Sequence, residues 1–263
     1  MKHNDYAANY EKPTKRHTFA SPSSSRPAEL SLLERPGPQG AYVQLYVKRT
    51  KGGSLLSSTP TTFSLYLKDG DTLVATAVKR ESSYLIYEAG EPGQRVAEQR
   101  MLGKLKGSAI KGGSFKLVDG GAVLKKLNVF DDARDDFDKG DLPERHELCS
   151  ISHSTSMGRG RTILVDCGDS GGRFVTKSPT LDDSGKRKLD FNGRVTLPSV
   201  KNFQLVPHSL SPDDHYTTSS SSSSDSVTMQ FGRVGKDGFN LDYQAPLSGL
   251  QAFGVAISVF NHP

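Results

Sequence analysis

From Ala41 onward the chain alternates apolar and polar residues in short runs. AYVQLYVKR, TFSLYLK, TLVATAVK and SYLIYE each repeat with a period of two. That period sends successive side chains to opposite faces of a strand. Clusters at Lys51-Gly52-Gly53, Asp69-Gly70-Asp71, Pro92-Gly93 and Asp119-Gly120-Gly121 punctuate the runs as turns. Further strands are expected at SFKLV, ELCSISH, RTILVDC, GRFVTK, LDFNGRV, NFQLVP, VTMQFGRV and FNLDY. About a dozen short strands at this spacing predict an antiparallel sandwich or barrel.

The pattern changes at residues 246–260, PLSGLQAFGVAISVF, which are apolar on every face. A helix of that kind has to be buried. Its apolar run, about twelve residues, has the length of a core helix and falls short of a bilayer. Pro246 suits the first turn, where a proline sacrifices no hydrogen bond. Strands followed by one wholly apolar helix predict a barrel closed around that helix, with its lumen filled.

Residues 1–39 read differently: they are rich in Ser, Pro and charge and show no sustained period. They are expected to form a disordered tail ahead of a barrel domain spanning 40–263. Within the tail, AELSLLER reads as a linker, with a helical turn or a docking segment as the alternative. Inside the domain, an acidic loop at 131–141 and a Ser-rich loop at 217–226 interrupt the strands. The acidic loop lacks DxDxDG spacing, so no calcium site is expected there.

Charge adds a partner class. The net charge is +5, but it is unevenly spread. Residues 41–130 hold 14 Lys/Arg against 7 Asp/Glu, whereas 131–150 hold 3 against 8. A basic block of this kind suits an anionic membrane surface, a phosphoinositide or nucleic acid. The chain has no apolar run long enough for a membrane helix and no signal-peptide h-region at its start. Its two cysteines, Cys149 and Cys167, are too few for a disulfide framework and point to a reducing compartment.

Three stretches resemble the tubby C-terminal domain: FNGRVTLPSVKNFQLV (191–206), MQFGRVGKDGFNLDYQAPLSGLQAFGVAISVF (229–260) and, more loosely, GKLKGSAIKGGSFKLVDGG (103–121). The resemblance runs over about residues 40–260. It implies a mainly β fold, a closed twelve-stranded antiparallel barrel filled by a central hydrophobic C-terminal helix. It also implies a non-enzymatic adaptor that binds phosphatidylinositol 4,5-bisphosphate in the inner leaflet, at the plasma or ciliary membrane. Intraflagellar transport machinery or receptor cargo would be its protein partners, and it would act as a monomer without a cofactor. Plant members carry an F-box ahead of the barrel, and the 40-residue tail here is too short and polar to be expected to hold one.

The family's head-group contacts align with Lys79 and Arg80, in a basic run that is shorter here and ends at Glu81. The family's Gly-Lys-Leu-Arg becomes Gly103-Lys104-Leu105-Lys106, so Lys106 stands for an Arg. Lysine keeps the charge and loses the bidentate fork. Lys48, Arg49 and Lys51 at the end of the first strand complete the expected set; animal members have Asn where this chain has Thr50. Arg194 and Arg233 also fall in family motifs, where a structural hydrogen-bonding role stands beside head-group contact as the alternative.

Other chemistries find less in the chain. Asp166-Cys167-Gly168-Asp169-Ser170-Gly171-Gly172 contains the GDSGG of trypsin-like proteases. His146 and His153 lie too close upstream of Ser170 for that fold, and Arg173 replaces the usual Pro. The segment is expected to be a flexible turn. No CxxC or HxxxH pair offers a metal site, and no GxxxxGK[ST] offers a P-loop. The remaining rivals are a nucleic-acid-binding transcription regulator, which would place the protein in the nucleus, and a scramblase-like protein. The first lacks any nucleic-acid-binding motif, and the second would need a longer apolar helix.

Overall fold

The computed structural model describes residues 32–53, 59–68, 72–90, 93–108, 113–121, 145–156, 160–181, 185, 187–208 and 226–261. The tail up to 31, the acidic segment 131–141 and the Ser-rich tract 217–226, save Ser226, lie outside them.

The strands in chain order are β1 (Val43–Thr50), β2 (Thr62–Leu67), β3 (Leu73–Arg80), β4 (Ser83–Glu88), β5 (Met101–Gly107), β6 (Ser114–Asp119) and β7 (Glu147–Ser156). They continue with β8 (Gly160–Asp166), β9 (Arg173–Thr176), β10 (Thr180–Leu181), β11 (Arg187–Lys188), β12 (Phe203–Pro207), β13 (Met229–Arg233) and β14 (Gly238–Tyr243). Two helices are α1 (Gly168–Gly171) and α2 (Gly249–Ser258). Twelve strands close into one barrel in chain order, and β14 pairs with β1 to seal it. Closure leaves no unpaired edge. Strands β10 and β11 form a separate two-stranded ribbon.

Alternation decides which residues line the lumen. Val47, Leu65, Ala77, Ile86, Leu105 and Leu117 are fully buried. The helix α2 fills the space between them, and of its ten residues all but Gln251 are buried. The Ser248 side chain accepts from the Gln251 N–H at 3.2 Å, and the Gln251 Oε1 accepts from the Ser248 N–H at 2.9 Å. This reciprocal capping box starts the helix three residues after Pro246, which lies outside it behind a cis peptide bond. Gln251 Nε2 then donates to the Leu148 carbonyl at 2.9 Å, tying the helix start to β7.

Two local readings change. The expected strand LDFNGRV is a turn: Asn192 and Gly193 have φ of 49° and 74°. The Asn192 N–H donates to Asp190 Oδ1 at 2.8 Å, an Asx turn that competes with the ladder. The GDSGG stretch carries the single-turn helix α1, and Gly172 leaves it with φ of 74°.

Residues 32–34 make one helical turn against the barrel. Leu33 is buried, the Tyr243 hydroxyl donates to the Leu32 carbonyl at 2.9 Å, and the Gly37 N–H donates to the Leu247 carbonyl at 2.9 Å. This segment covers the end of the barrel where α2 begins.

Candidate functional site

The other end of the barrel, where α2 terminates, is where strands β1, β3, β5 and β13 finish and β2, β4, β6, β8 and β14 begin. Strand alternation sorts its basic residues into two sets. Arg49, Lys79, Arg161 and Arg233 continue the inward-facing series of their strands, and Lys201 leads into β12 two residues before buried Phe203. Lys48, Arg80 and Lys106 face outward and are exposed, and Lys51 and Lys236 are exposed in turns. Among the described residues the acids at this end are Glu81 and Asp237. At the opposite end Arg100 is paired with Glu34 and Glu88 and Arg173 with Asp166, and His146 shares a hydrogen bond with Asp119.

Register shows which expected contacts meet. Arg80 pairs with Ser83, and Ser83 pairs with Lys106, so the three stand in one outward row across β3, β4 and β5. Two strand spacings put the ends of that row ~10 Å apart. Lys79 is the next residue in, opposite Tyr84 on the inner face. Beside the row lies a hollow of ≈ 320 Å³ lined by Glu81, Ser82, Gly107, Ser108, Phe115 and Asn261 among others. Asn261 is fixed there: it accepts from the Tyr84 hydroxyl at 3.1 Å and donates to the Ser82 carbonyl at 3.2 Å. Burial pushes the Tyr84 phenol far above its ordinary value, so it remains a donor.

Lys48 does not join this row. It is in line with Ser64 on β2 and Thr76 on β3, four residues short of Arg80. At the rise of a strand that is roughly 13 Å along the wall. Arg49 turns inward, and its Nε and Nη2 donate to Asp237 Oδ1 at 2.9 and 2.5 Å. That bond is the main cause holding the Asp237 carboxyl below its usual range. Lys51 is exposed in the turn after β1.

The inner mouth holds residues the one-dimensional pattern did not single out. The Phe260 ring sits at the mouth, packed on Phe63, Phe239 and Phe231 at centroid distances of 4.7, 5.2 and 6.3 Å. The Arg49 guanidinium lies 5.3 Å from the Phe260 centroid and the Lys201 ammonium 5.0 Å. Lys201 Nζ also donates to the Val259 carbonyl at 3.1 Å, at the negative end of the helix dipole. Burial, then Arg161, then Arg49 push the Lys201 pKa down. Arg161 itself is lowered by burial, and its Nη2 is buried without a hydrogen-bond partner. Arg161, Lys201, Asp237 and the adjacent Phe260 and Asn261 come from four separate segments, so no spacing could have linked them. Lys201 did lie within the quoted SVKNFQ run.

The remaining candidates resolve structurally. Arg194 makes a bidentate pair with buried Asp242, at 2.6 and 2.9 Å, which Gln230 Nε2 also contacts at 2.7 Å. Arg233 Nε donates to the Gly235 carbonyl at 2.9 Å. His153 shares a hydrogen bond of 2.9 Å with Ser258 of α2, and His146 one of 3.1 Å with Asp119. The neighbouring Cys167 and burial push the Cys149 thiol up, the opposite of what a nucleophile needs. Among the described residues no group of three or more His, Cys, Asp or Glu could hold a metal ion, and no helix is long and apolar enough to cross a membrane.

Comparison with known proteins adds a family. The Tub family model matches residues 33–163 and 170–262. The chain is 29% identical over 280 aligned residues to Tubby-related protein 1 of Mus musculus, covering 91% of this chain and 47% of that protein. It is 37% identical to Tubby-like F-box protein 9 of Arabidopsis thaliana, over 42% of this chain and 28% of that one. With Tubby protein homolog 1 of Caenorhabditis briggsae the identity is 43%, over 34% and 18%. The chain thus spans less than half the length of these relatives.

Proposed function

The chain belongs to the Tub family, and from that premise we propose that it is a non-enzymatic adaptor that holds phosphatidylinositol 4,5-bisphosphate at the basic end of its barrel. The observation that carries the reading is the row of Arg80, Ser83 and Lys106 with Lys79 beside it, at the edge of a hollow. A row ~10 Å long spans a head group that carries two phosphates. Each basic residue near an anionic leaflet contributes ~1 kcal/mol, and Lys48, Lys51 and Lys236 add to that attraction without touching the head group. The adaptor works at the cytoplasmic face of the plasma or ciliary membrane, with receptor cargo or transport machinery as its protein partners.

Co-sedimentation with vesicles at ~150 mM salt tests this. Vesicles of phosphatidylserine are compared with vesicles that also hold phosphatidylinositol 4,5-bisphosphate. Wild type is expected to prefer the second kind, and a Lys79→Ala/Arg80→Ala variant to lose that preference. Equal binding of both proteins to both vesicle types would overturn the head-group site. Tight, saturable binding to duplex DNA without vesicle binding would favour the nucleic-acid reading instead.

A further inference from the structure

The inner mouth poses a charge problem that the outward row does not. Three cations, Arg49, Arg161 and Lys201, converge there, and two of them lie over the single ring of Phe260. All three are half-buried. Opposing them are the Asp237 carboxylate, which engages Arg49, and the carbonyl end of α2, which engages Lys201. A helix end counts as about half a negative charge. The balance leaves roughly one and a half positive charges in a partly desolvated space. Arg161 is the member with nothing to engage: its Nη2 is buried and has no hydrogen-bond partner. Lys201 responds to this crowding, since Arg161 and Arg49 both disfavour its protonation. A half-buried guanidinium whose Nη2 is buried without a partner, set among like charges, is unfavourable unless an anion joins it.

We propose that Arg49, Arg161 and Lys201, arranged around Phe260, form a binding site for one phosphate group, separate from the outward Arg80–Ser83–Lys106 row. The phosphate is free in solution or borne by a lipid head group; both present the same three acceptor oxygens to the cluster. Arg161, through its unpartnered Nη2, supplies a planar donor suited to phosphate. Lys201, with donors beyond the one it gives Val259, supplies a point charge. Arg49, already held by Asp237, keeps the wall in position. The site stands whether or not the outward row holds a head group.

Thermal unfolding of the full chain decides it, in ~10 mM inorganic phosphate against chloride at equal ionic strength. A site with a Kd of ~1 mM would raise the wild-type Tm by ~3–5 °C. Arg161→Met keeps the apolar stem and removes the charge. It should lose most of that increment, with a Tm in chloride equal to or above wild type, because a half-buried charge with an unpartnered Nη2 has gone. Arg80→Ala/Lys106→Ala, both on the outward row, should keep the increment. No wild-type increment, or a full increment in Arg161→Met, overturns the proposal. So does a Tm in chloride several degrees lower for Arg161→Met with the increment intact, which marks a purely structural arginine. Should Arg161→Met fail to fold, Arg161→Lys decides: at least half the increment supports the site and none overturns it. Vesicles then identify the source. Weaker binding of Arg161→Met to phosphatidylinositol 4,5-bisphosphate vesicles, with inorganic phosphate competing in wild type, assigns a lipid phosphate; unchanged vesicle binding alongside a lost thermal increment assigns a free one.

Discussion

Glu81 has the left-handed backbone, φ 47°, in the two-residue turn between β3 and β4. That conformation costs a non-glycine residue ~1 kcal/mol, and the side chain sets a carboxylate beside Arg80. Glu81→Gly is expected to raise stability by up to ~1 kcal/mol in urea unfolding and to strengthen vesicle binding; weaker binding would mean that Glu81 orders the hollow. Asp237 is the second acid of this end. Its pKa is depressed in the fold by Arg49, so its contribution is present above the unfolded value and is lost as pH falls through the folded one. Stability below about pH 4 should therefore fall less steeply in Asp237→Asn than in wild type. Equal slopes in acid titrations would show that the Arg49 pair adds nothing. These residues were in the sequence, but their pairing was not: 188 positions separate Arg49 from Asp237.

The element whose failure would empty the barrel is α2. It is only ten residues long, below the ~12–15 at which an isolated helix is even marginal in water. Its stability comes from its cap and from burial on every side. Ser248→Ala removes half of the capping box and should cost ~1 kcal/mol, read as a lower urea midpoint with unchanged m. At the far end, the Ser258 hydroxyl donates to the Val255 carbonyl at 2.7 Å and meets the His153 ring at 2.9 Å. Ser258→Ala should cost ~1–3 kcal/mol by leaving buried polar groups less well satisfied. A neutral result would mean that water takes the place of the hydroxyl. The helix itself was legible because no residue between 246 and 260 is charged. Its start was less so: Pro246 suits a first turn, whereas the Ser248–Gln251 contacts start the helix three residues later. LDFNGRV shows the reverse case, in which Asp190 and Asn-Gly turn chemistry overrode an apparent alternation.

On the scale of the whole molecule, the barrel is polarised. The mouth where α2 ends holds a cluster of basic residues with two described acids, Glu81 and Asp237, whereas Arg100 and Arg173 are ion-paired near the end where α2 begins. Attraction by exposed charges fades beyond a screening length of ~10 Å at 0.1 M salt. Binding to phosphatidylserine vesicles should thus weaken at least ~10-fold between about 50 and 300 mM salt. A salt-independent association would point to apolar insertion instead. The sequence by itself determined the strands, the buried helix and the family motifs, since period, turn residues and apolar runs are local properties. It also supplied Lys79, Arg80 and Lys106 through resemblance, because each lies in a short run that aligns with a family motif. Only the tertiary structure decided that Lys48 stands apart, that Arg49 is turned inward, and that Arg161, Lys201 and Phe260 meet. Inward or outward direction at a strand's end, and proximity across a closed barrel, depend on register and closure, which no stretch of the chain encodes alone.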